Sequence, residues 1–254
     1  MVTTYLQGGL GNYMFQIATA KSLSIDLDCD VIFNESKATT VHQPIHTYKD
    51  NIFRNIKFTN EDVSTKFTHQ EIGFEYNEIP MIDDVLLSGY FQSEKYFLKN
   101  KDKIKEVFKP SDNDKKYIKD RYGDLTNTCS IHVRRGDYIS QQQNHPLCKE
   151  GYYEEALKYI PKGTKFLVFS DDIKWCENIF KGDSFIFVEN ELDYMDMYIM
   201  SMCEHNIIAN STFSWWGAWL NNNENKIVIV PSIWFGVAKQ LNTKDIIPNG
   251  WIKI

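Results

Sequence analysis

The sequence predicts an α/β protein built on parallel sheets, and three observations carry that prediction. Short apolar runs alternate with segments of helical spacing through the second half of the chain. Those runs are continuous instead of alternating, as strands must be when helices cover both faces of a sheet. The unusual polar clusters also follow directly on the apolar runs, where an open parallel sheet binds its ligands. With 254 residues, 43% hydrophobic and 24% charged, the chain has material for one large or two small cores.

In chain order, Val2–Leu6 reads as a strand, Asn12–Leu27 as a helix, and Val31–Phe33 and Val85–Ser88 as strands. Ser93–Phe108 has helical spacing with a lysine-rich outer face. No element is assigned between about residues 35 and 80. Lys109–Asn127 is the most polar stretch, which places a domain boundary there and divides the chain into 1–110 and 111–254. The last residues are expected to pack back on the N-terminal domain. Beyond the boundary the strands are Ile131–Val133, Phe166–Phe169, Phe185–Val188, Ile207–Ala209 and Ile227–Val230. Helices are expected between them at about Tyr152–Ile160, Ile173–Phe180, Leu192–His205 and Ser214–Leu220. Neither internal repeats nor low-complexity tracts interrupt this order.

Composition excludes several classes of function. A net charge of −6 argues against a general nucleic-acid binder, because phosphate-backbone affinity needs a basic face. The five cysteines (Cys29, Cys129, Cys148, Cys176 and Cys203) are never closer than 19 residues, which fits neither a zinc site nor a disulfide framework. They read as reduced, small hydrophobes. The N-terminus lacks the pattern of a signal peptide, and no apolar run reaches the length of a membrane span. A cytoplasmic protein is expected, compatible with peripheral residence at a membrane surface.

Three polar clusters follow three of the strands: "RRGDY" after Ile131–Val133, "SDD" after Phe166–Phe169, and "NSTFSWW" after Ile207–Ala209. All three therefore converge on one sheet edge. Only four of the 28 basic residues are arginine, and two of those are Arg134 and Arg135. Paired guanidiniums hold a diphosphate bidentately, which lysine does poorly. The turn Ser211–Ser214 opens a helix, so its amides and hydroxyls can cradle phosphate. A carboxylate at Asp171 or Asp172 can accept the N1–H and N2–H₂ donors of guanine. Each cluster also has a plainer reading, with Arg134 and Asp137 as an ion pair, "SDD" as a helix N-cap, and the tryptophans as core. A fourth cluster, "QGGLGN", is a glycine turn between strand and helix. The third glycine of a dinucleotide fingerprint would fall on Met14, so the turn is read instead as bringing amides and Asn12 to a cleft rim.

Taken in order, "GGLGNYMFQIATA", "GYFQSEKYF", "HVRRGDY", "VFSDD" and "NSTFSWWGAWL" resemble the α-1,2-fucosyltransferases of glycosyltransferase family 11. The resemblance runs from Gln7 to about Leu220. It implies a GT-B fold, two Rossmann-like domains facing across a cleft, with GDP-fucose held mainly by the C-terminal domain and the acceptor by the N-terminal one. It further implies inverting transfer of L-fucose to the 2-hydroxyl of a galactose-type acceptor in surface-glycan synthesis, without a metal. His132, Arg134, Arg135 and Asp137 match the family's donor and reaction centre. Asp171 matches a guanine-binding carboxylate, Ser211, Thr212, Phe213 and Ser214 match a phosphate-contacting turn, and Gly9 and Asn12 lie in the matching glycine turn. Tyr13 departs from the family, which usually has glutamine there. Asp137 is open to two roles, as the base for the acceptor hydroxyl or as an orienting partner of the arginines.

The departing diphosphate gains charge, which a divalent metal or fixed cations must stabilise. D-x-D patterns occur at Asp26/Asp28, Asp28/Asp30 and Asp112/Asp114, at a helix end and in the polar linker. They are read as solvated charge, and the arginine pair as the cation. Two alternatives remain open: another GDP-sugar or acceptor hydroxyl, and a carbohydrate-binding or adhesion protein using "RGD" at Arg135–Asp137.

Overall fold

A computed structural model describes residues 1–40, 43–239 and 241–254. The chain divides into two compact units, Met1–Lys109 with Leu241–Pro248, and Pro110–Gln240 with Asn249–Ile254. Both are α/β with parallel strands, as the apolar runs predict.

The first unit contains β1 (Val2–Thr4), β2 (Gln7–Gly8), α1 (Leu10–Asp26), β3 (Phe33–Asn34), β4 (Thr39–Thr40), β5 (Phe58–Thr59), β6 (Phe67–Gln70), β7 (Val85–Ser88) and α2 (Lys101–Phe108). Its main sheet runs β1-β7-β6, all parallel, and Val31 bridges to Val2. The stretch the sequence left unassigned holds β4, β5 and β6, of which β4 and β5, paired with β2 and β3, are too short to show a period. Helix α1 is buried nearly all round, with Tyr13, Met14, Phe15, Ile17 and Ala18 fully enclosed beside the buried polar residues Gln16, Thr19 and Ser22. Its buried Gln16 accepts the N–H of Gln7 at 3.0 Å and donates to the carbonyls of Gln7 and Gly89 at 3.3 Å each.

Two expectations in this unit need correction. Ser93–Phe108 is not one helix: 3₁₀ turns at Glu94–Tyr96 and Leu98–Asn100 precede α2. Burial of Phe97 and the bond from Ser93 Oγ to the Asp245 carbonyl pull the segment off a helical path. It is also residues 241–248, not the last residues, that pack here. Asp245 anchors them by accepting the Tyr76 N–H at 2.9 Å and pairing with Lys95.

The second unit contains α3 (Asp112–Tyr122), β8 (Thr128–Val133), α4 (Glu150–Leu157), β9 (Lys165–Ser170), α5 (Ile173–Ile179), β10 (Phe185–Phe187), α6 (Asp193–Met202), β11 (His205–Ile207), α7 (Thr212–Leu220), β12 (Val228–Val230) and β13 (Ile252–Lys253). Its sheet order is β10-β9-β8-β11-β12-β13, with every pair parallel. The chain moves outward from β8 to β10, then returns to the other side of β8 as β11. The switch point therefore lies between β8 and β11, where such sheets open a crevice.

All six residues of β8 are buried. Cys129, Ile131 and Val133 pack with Val168, Ile207 and Ile229 against Tyr153, Ala156, Cys176 and Phe180 of α4, α5 and the residue after it. Helices α6 and α7 approach closely, and a Cβ on Gly217 would lie 2.9 Å from Met200 Cβ. Trp215 and Trp216 are fully buried, and Trp215 stacks on Trp219 one turn away, so the tryptophans are core as their apolar character predicts. The polar stretch after Lys109 is a helix, started by a Ser111/Asp114 capping box and supported by Lys115–Asp112 and Lys116–Asp120 pairs. Strand β11 begins two residues earlier than expected because Asn206 is held inside, donating to Ser130 Oγ at 2.7 Å and the Met200 carbonyl at 2.8 Å. Among the described residues, no helix is long and apolar enough to cross a membrane.

One buried acid has a consequence for stability. Asp196 of α6 has an oxygen without a hydrogen-bond partner among the described residues. Burial, reinforced by the charges of Glu191 and Asp193, pushes its carboxyl up to about 7. Glu191 is itself held by Arg121 at 2.7 Å and by the Tyr122 hydroxyl at 2.7 Å. The native state keeps a proton that the unfolded chain releases above about pH 4. This stabilisation is complete at lower pH and is lost as pH rises toward 7. Asp196→Asn, which mimics the protonated form, should gain on the parent by a few degrees in Tm between pH 5 and pH 8. Thermal unfolding of both proteins at the two pH values checks this, and a difference independent of pH would refute it.

Candidate active site

The strand-end clusters of the second unit meet because β8 and β9 pair in parallel to their last residues, Val133 opposite Ser170. Arg134 and Arg135 thus leave one strand beside Asp171 and Asp172 leaving the next. Asp171 accepts the backbone N–H of Arg135 at 2.8 Å through Oδ1 and one Arg134 Nη at 2.9 Å through Oδ2. The other Arg134 Nη reaches Asp137 Oδ1 at 2.6 Å. Arg135 donates from Nε to Asp172 Oδ2 at 2.9 Å, and its guanidinium lies 4.3 Å over the Trp175 ring. The terminal nitrogens of Arg135 meet no acceptor among the described residues.

Each partner is placed by local structure. Asp172 is the N-cap of α5, its Oδ1 accepting the Trp175 N–H at 3.2 Å. The capping aspartate is therefore the second of the pair, which leaves Asp171 free to bind the arginine loop. The Arg135 hydrogen bond holds the Asp172 carboxyl below its ordinary value. A Cβ on Gly136 would stand 2.7 Å from Asp171 Oδ2, so glycine permits this approach of loop to carboxylate. Tyr138 donates to the Asn210 carbonyl at 3.1 Å and has Arg134 5.6 Å over its ring. The Asn210 side chain donates to the carbonyls of Pro146 and Trp234 at 3.0 Å each, joining the loops that follow β8 and β12 to the end of β11.

His132, the penultimate residue of β8, is buried, and its Nδ1 has no hydrogen-bond partner among the described residues. Burial, then the charge of Arg134, push its pKa down to about 3, so the ring is neutral. Phe213 lies 5.5 Å from it, ring to ring, at the start of α7. Ser211 caps α7 without a side-chain hydrogen bond, Thr212 and Phe213 are half-buried, and Ser214 Oγ points back to the Ser211 carbonyl at 3.4 Å.

Gly9 and Asn12 belong to the first unit. Gly9 is the N-cap of α1, and Asn12 Oδ1 accepts from Gln92 Nε2 at 3.0 Å. Gly8 has φ of 97°, and a Cβ there would meet Asn12 Nδ2 at 2.4 Å, so this turn requires glycine. Tyr13, the departure from the family pattern, is buried with its hydroxyl on the Thr39 carbonyl at 3.0 Å. Glu71 accepts the N–H groups of Tyr90 and Phe91 and so shapes the "GYFQ" turn.

Of the D-x-D residues, Asp26 is engaged by Lys99 and Asn100, and Asp114 by its capping box. Among the described residues, no three His, Cys, Asp or Glu side chains gather in the manner of a metal site. A cavity of about 590 Å³ opens at the opposite, amino-terminal edge of the second sheet, lined in part by Arg121, Asn127 and Lys165.

The profile of Glycosyl transferase family 11 matches residues 1–254. The chain belongs to glycosyltransferase family 11. This family 11 chain is 34% identical to an α-1,2-colitosyltransferase of Escherichia coli, over 100% of its own length and 99% of that protein's. It is 32% identical to the O-antigen biosynthesis glycosyltransferase WbnK of Escherichia coli, covering 98% and 99%. Among solved structures it resembles the α-1,6-fucosyltransferase NodZ, known from Bradyrhizobium, with TM-score 0.55 at 14% identity, covering 86% of this chain and 91% of that one. That likeness is one of fold, and the family 11 chain has the α/β, GT-B type architecture that the resemblance implies.

Sequence reasoning on this glycosyltransferase missed Trp175 and the loop after β12, and gave no separate role to Tyr138 and Asn210 although both lie in the quoted clusters. Trp175 had a signal too, lying one helical turn from the aspartate pair. Replacing Gly136 by alanine should push Asp171 off the arginine loop and lower the transferase rate about a hundredfold. Its Tm should fall by only a few degrees. Rate and unfolding temperature measured on the same preparation check this, and unchanged turnover would refute it.

Proposed function

We propose that this glycosyltransferase moves L-fucose from GDP-fucose to the 2-hydroxyl of a galactose-type acceptor, with inversion, in the assembly of an O-antigen-type surface glycan. The observation that carries the reading is the meeting of Arg134 and Arg135 with Asp171 and Asp172 at the ends of β8 and β9. Arg135 has its terminal fork open for a diphosphate, in the bidentate geometry such groups favour. Asp171 keeps a lone pair on each oxygen for guanine N1–H and N2–H₂. Ser211 and Thr212 offer hydroxyls and amides at the start of α7, whereas Ser214 is buried with its hydroxyl turned to the Ser211 carbonyl. His132 and Phe213 line the donor beside them.

In the reaction, the acceptor oxygen bonds to the anomeric carbon while the bond to the β-phosphate oxygen breaks. The electron pair leaves with GDP. Asp137, bound to Arg134 through Oδ1, has Oδ2 open to take the hydroxyl proton. In this reading fixed cations meet the charge on the leaving group and no metal is required.

The colitosyltransferase relative favours one second reading, a GDP-colitose donor. Colitose is fucose without its 3-hydroxyl, and a site built to bond that hydroxyl rejects the analogue lacking it. Offering GDP-fucose and GDP-colitose with a panel of β-galactosides, followed by linkage analysis, separates the two. Fucose on O2 is the expected product. Transfer of colitose alone would replace the reading, and absence of GDP binding would remove it. Activity should survive EDTA, and loss restored by Mg²⁺ or Mn²⁺ would return the role to a metal. Asp171→Asn should weaken GDP binding by about tenfold or more, read by calorimetry, and unchanged affinity would leave Asp171 only an arginine anchor.

A further inference from the structure

The arginine loop has a charge imbalance. Two guanidiniums there face three carboxylates, Asp137, Asp171 and Asp172, within ion-pairing distance. The cluster is net negative by one, so it attracts a nucleoside diphosphate poorly unless another cation stands beside it. The loop after β12 carries one.

We propose that Lys239, held in place by His145, is a third cation of the diphosphate site and binds the leaving nucleoside diphosphate. This inference rests on the nucleoside-diphosphate reading above. Lys239 Nζ lies 3.0 Å from His145 Nε2 and 4.6 Å over the Phe235 ring. No carboxylate pairs with it among the described residues, although burial lowers its pKa. A partly desolvated ammonium without an anion is costly, and that cost is offset when an anionic ligand arrives.

His145 connects this cation to the arginine loop. Its ring stacks on Tyr138 at 4.8 Å and 24°, and Tyr138 underlies the Arg134 guanidinium. The charges of Asp137 and Arg134 are both felt at the imidazole, and burial, followed by Lys239, lowers its pKa. The ring is therefore neutral. An ammonium only donates, so Nε2 accepts from Lys239 and the ring proton sits on Nδ1. That Nδ1 is buried with no hydrogen-bond partner among the described residues, an open donor beside the same site.

The lysine loop is also held in position. Gly236 donates to the Asn144 carbonyl at 2.9 Å and Ala238 to the Gln143 carbonyl at 3.1 Å. A Cβ on Gly236 would meet Gln143 O at 2.2 Å, so glycine lets the two loops lie this close. Lys239 contacts the ligand in this scheme, and His145 is a positioning residue.

The test is GDP binding by isothermal titration calorimetry to the full chain and to the Lys239→Met and Lys239→Arg variants, with the ligand-free Tm of each. Lys239→Met should weaken GDP about tenfold or more with Tm unchanged within a few degrees. Lys239→Arg, which keeps the charge, should restore most of the affinity. GDP affinity of Lys239→Met within about twofold of the parent overturns the inference and leaves the donor reading standing. Equal weakening by both variants overturns it too, since charge would then not be the cause. A parent chain that binds no GDP removes the donor reading and this inference together.

Discussion

The site depends on one constraint, the parallel pairing of β8 with β9 carried through to Val133 and Ser170. Both strands are covered on their two faces, so apart from the exposed Lys165 that opens β9 neither holds an acidic, lysine or arginine side chain along its length. Polar chemistry is confined to the residues just past the strand ends. Parallel register then sets the two ends side by side. The backbone N–H of Arg135 meets Asp171, and the two guanidiniums meet consecutive aspartates. A shift of the register by one residue would turn every strand side chain to the opposite face and separate these pairs.

Around that register the site is held by groups serving two purposes at once. Asp172 caps α5 and fixes Arg135. Asn210, just past β11, ties down the loops after β8 and β12, while Tyr138 hangs from its carbonyl. Bonds of this kind hold dipoles and charges fixed, which is what a site needs if they are to act without reorganising. The surplus of carboxylate over guanidinium means the arginines are oriented, and their charge offset, by their own neighbours.

The relatives set the scale of what the fold decides. A chain at 14% identity to a solved fucosyltransferase shares its fold. A chain at 34% identity carries the name of a different sugar. Fold and family are thus settled far more coarsely than the pocket around the sugar, where one hydroxyl separates the candidate donors. Specificity lives in that site and not in the sheet.

Much of the second unit was legible in the sequence. Continuous apolar runs marked β8, β9, β10 and β12, their polar ends marked the arginine and aspartate clusters, and the buried tryptophans followed from their apolar character. Short-range signals suffice there because strand burial and helix caps are local properties. Elsewhere long-range contacts took over. The first unit's two-residue strands carry no readable period, and Phe97 and Ser93 broke a helix by bonding to distant residues. The polar stretch after Lys109 does begin at the boundary between the units, and what its composition did not show is the helix that its capping box starts. That Lys239 reaches the sheet edge of Arg134 and His145 was decided by tertiary structure alone. Lys239 lies 94 residues beyond His145 in the chain, and only the return of the chain across the switch point brings them together.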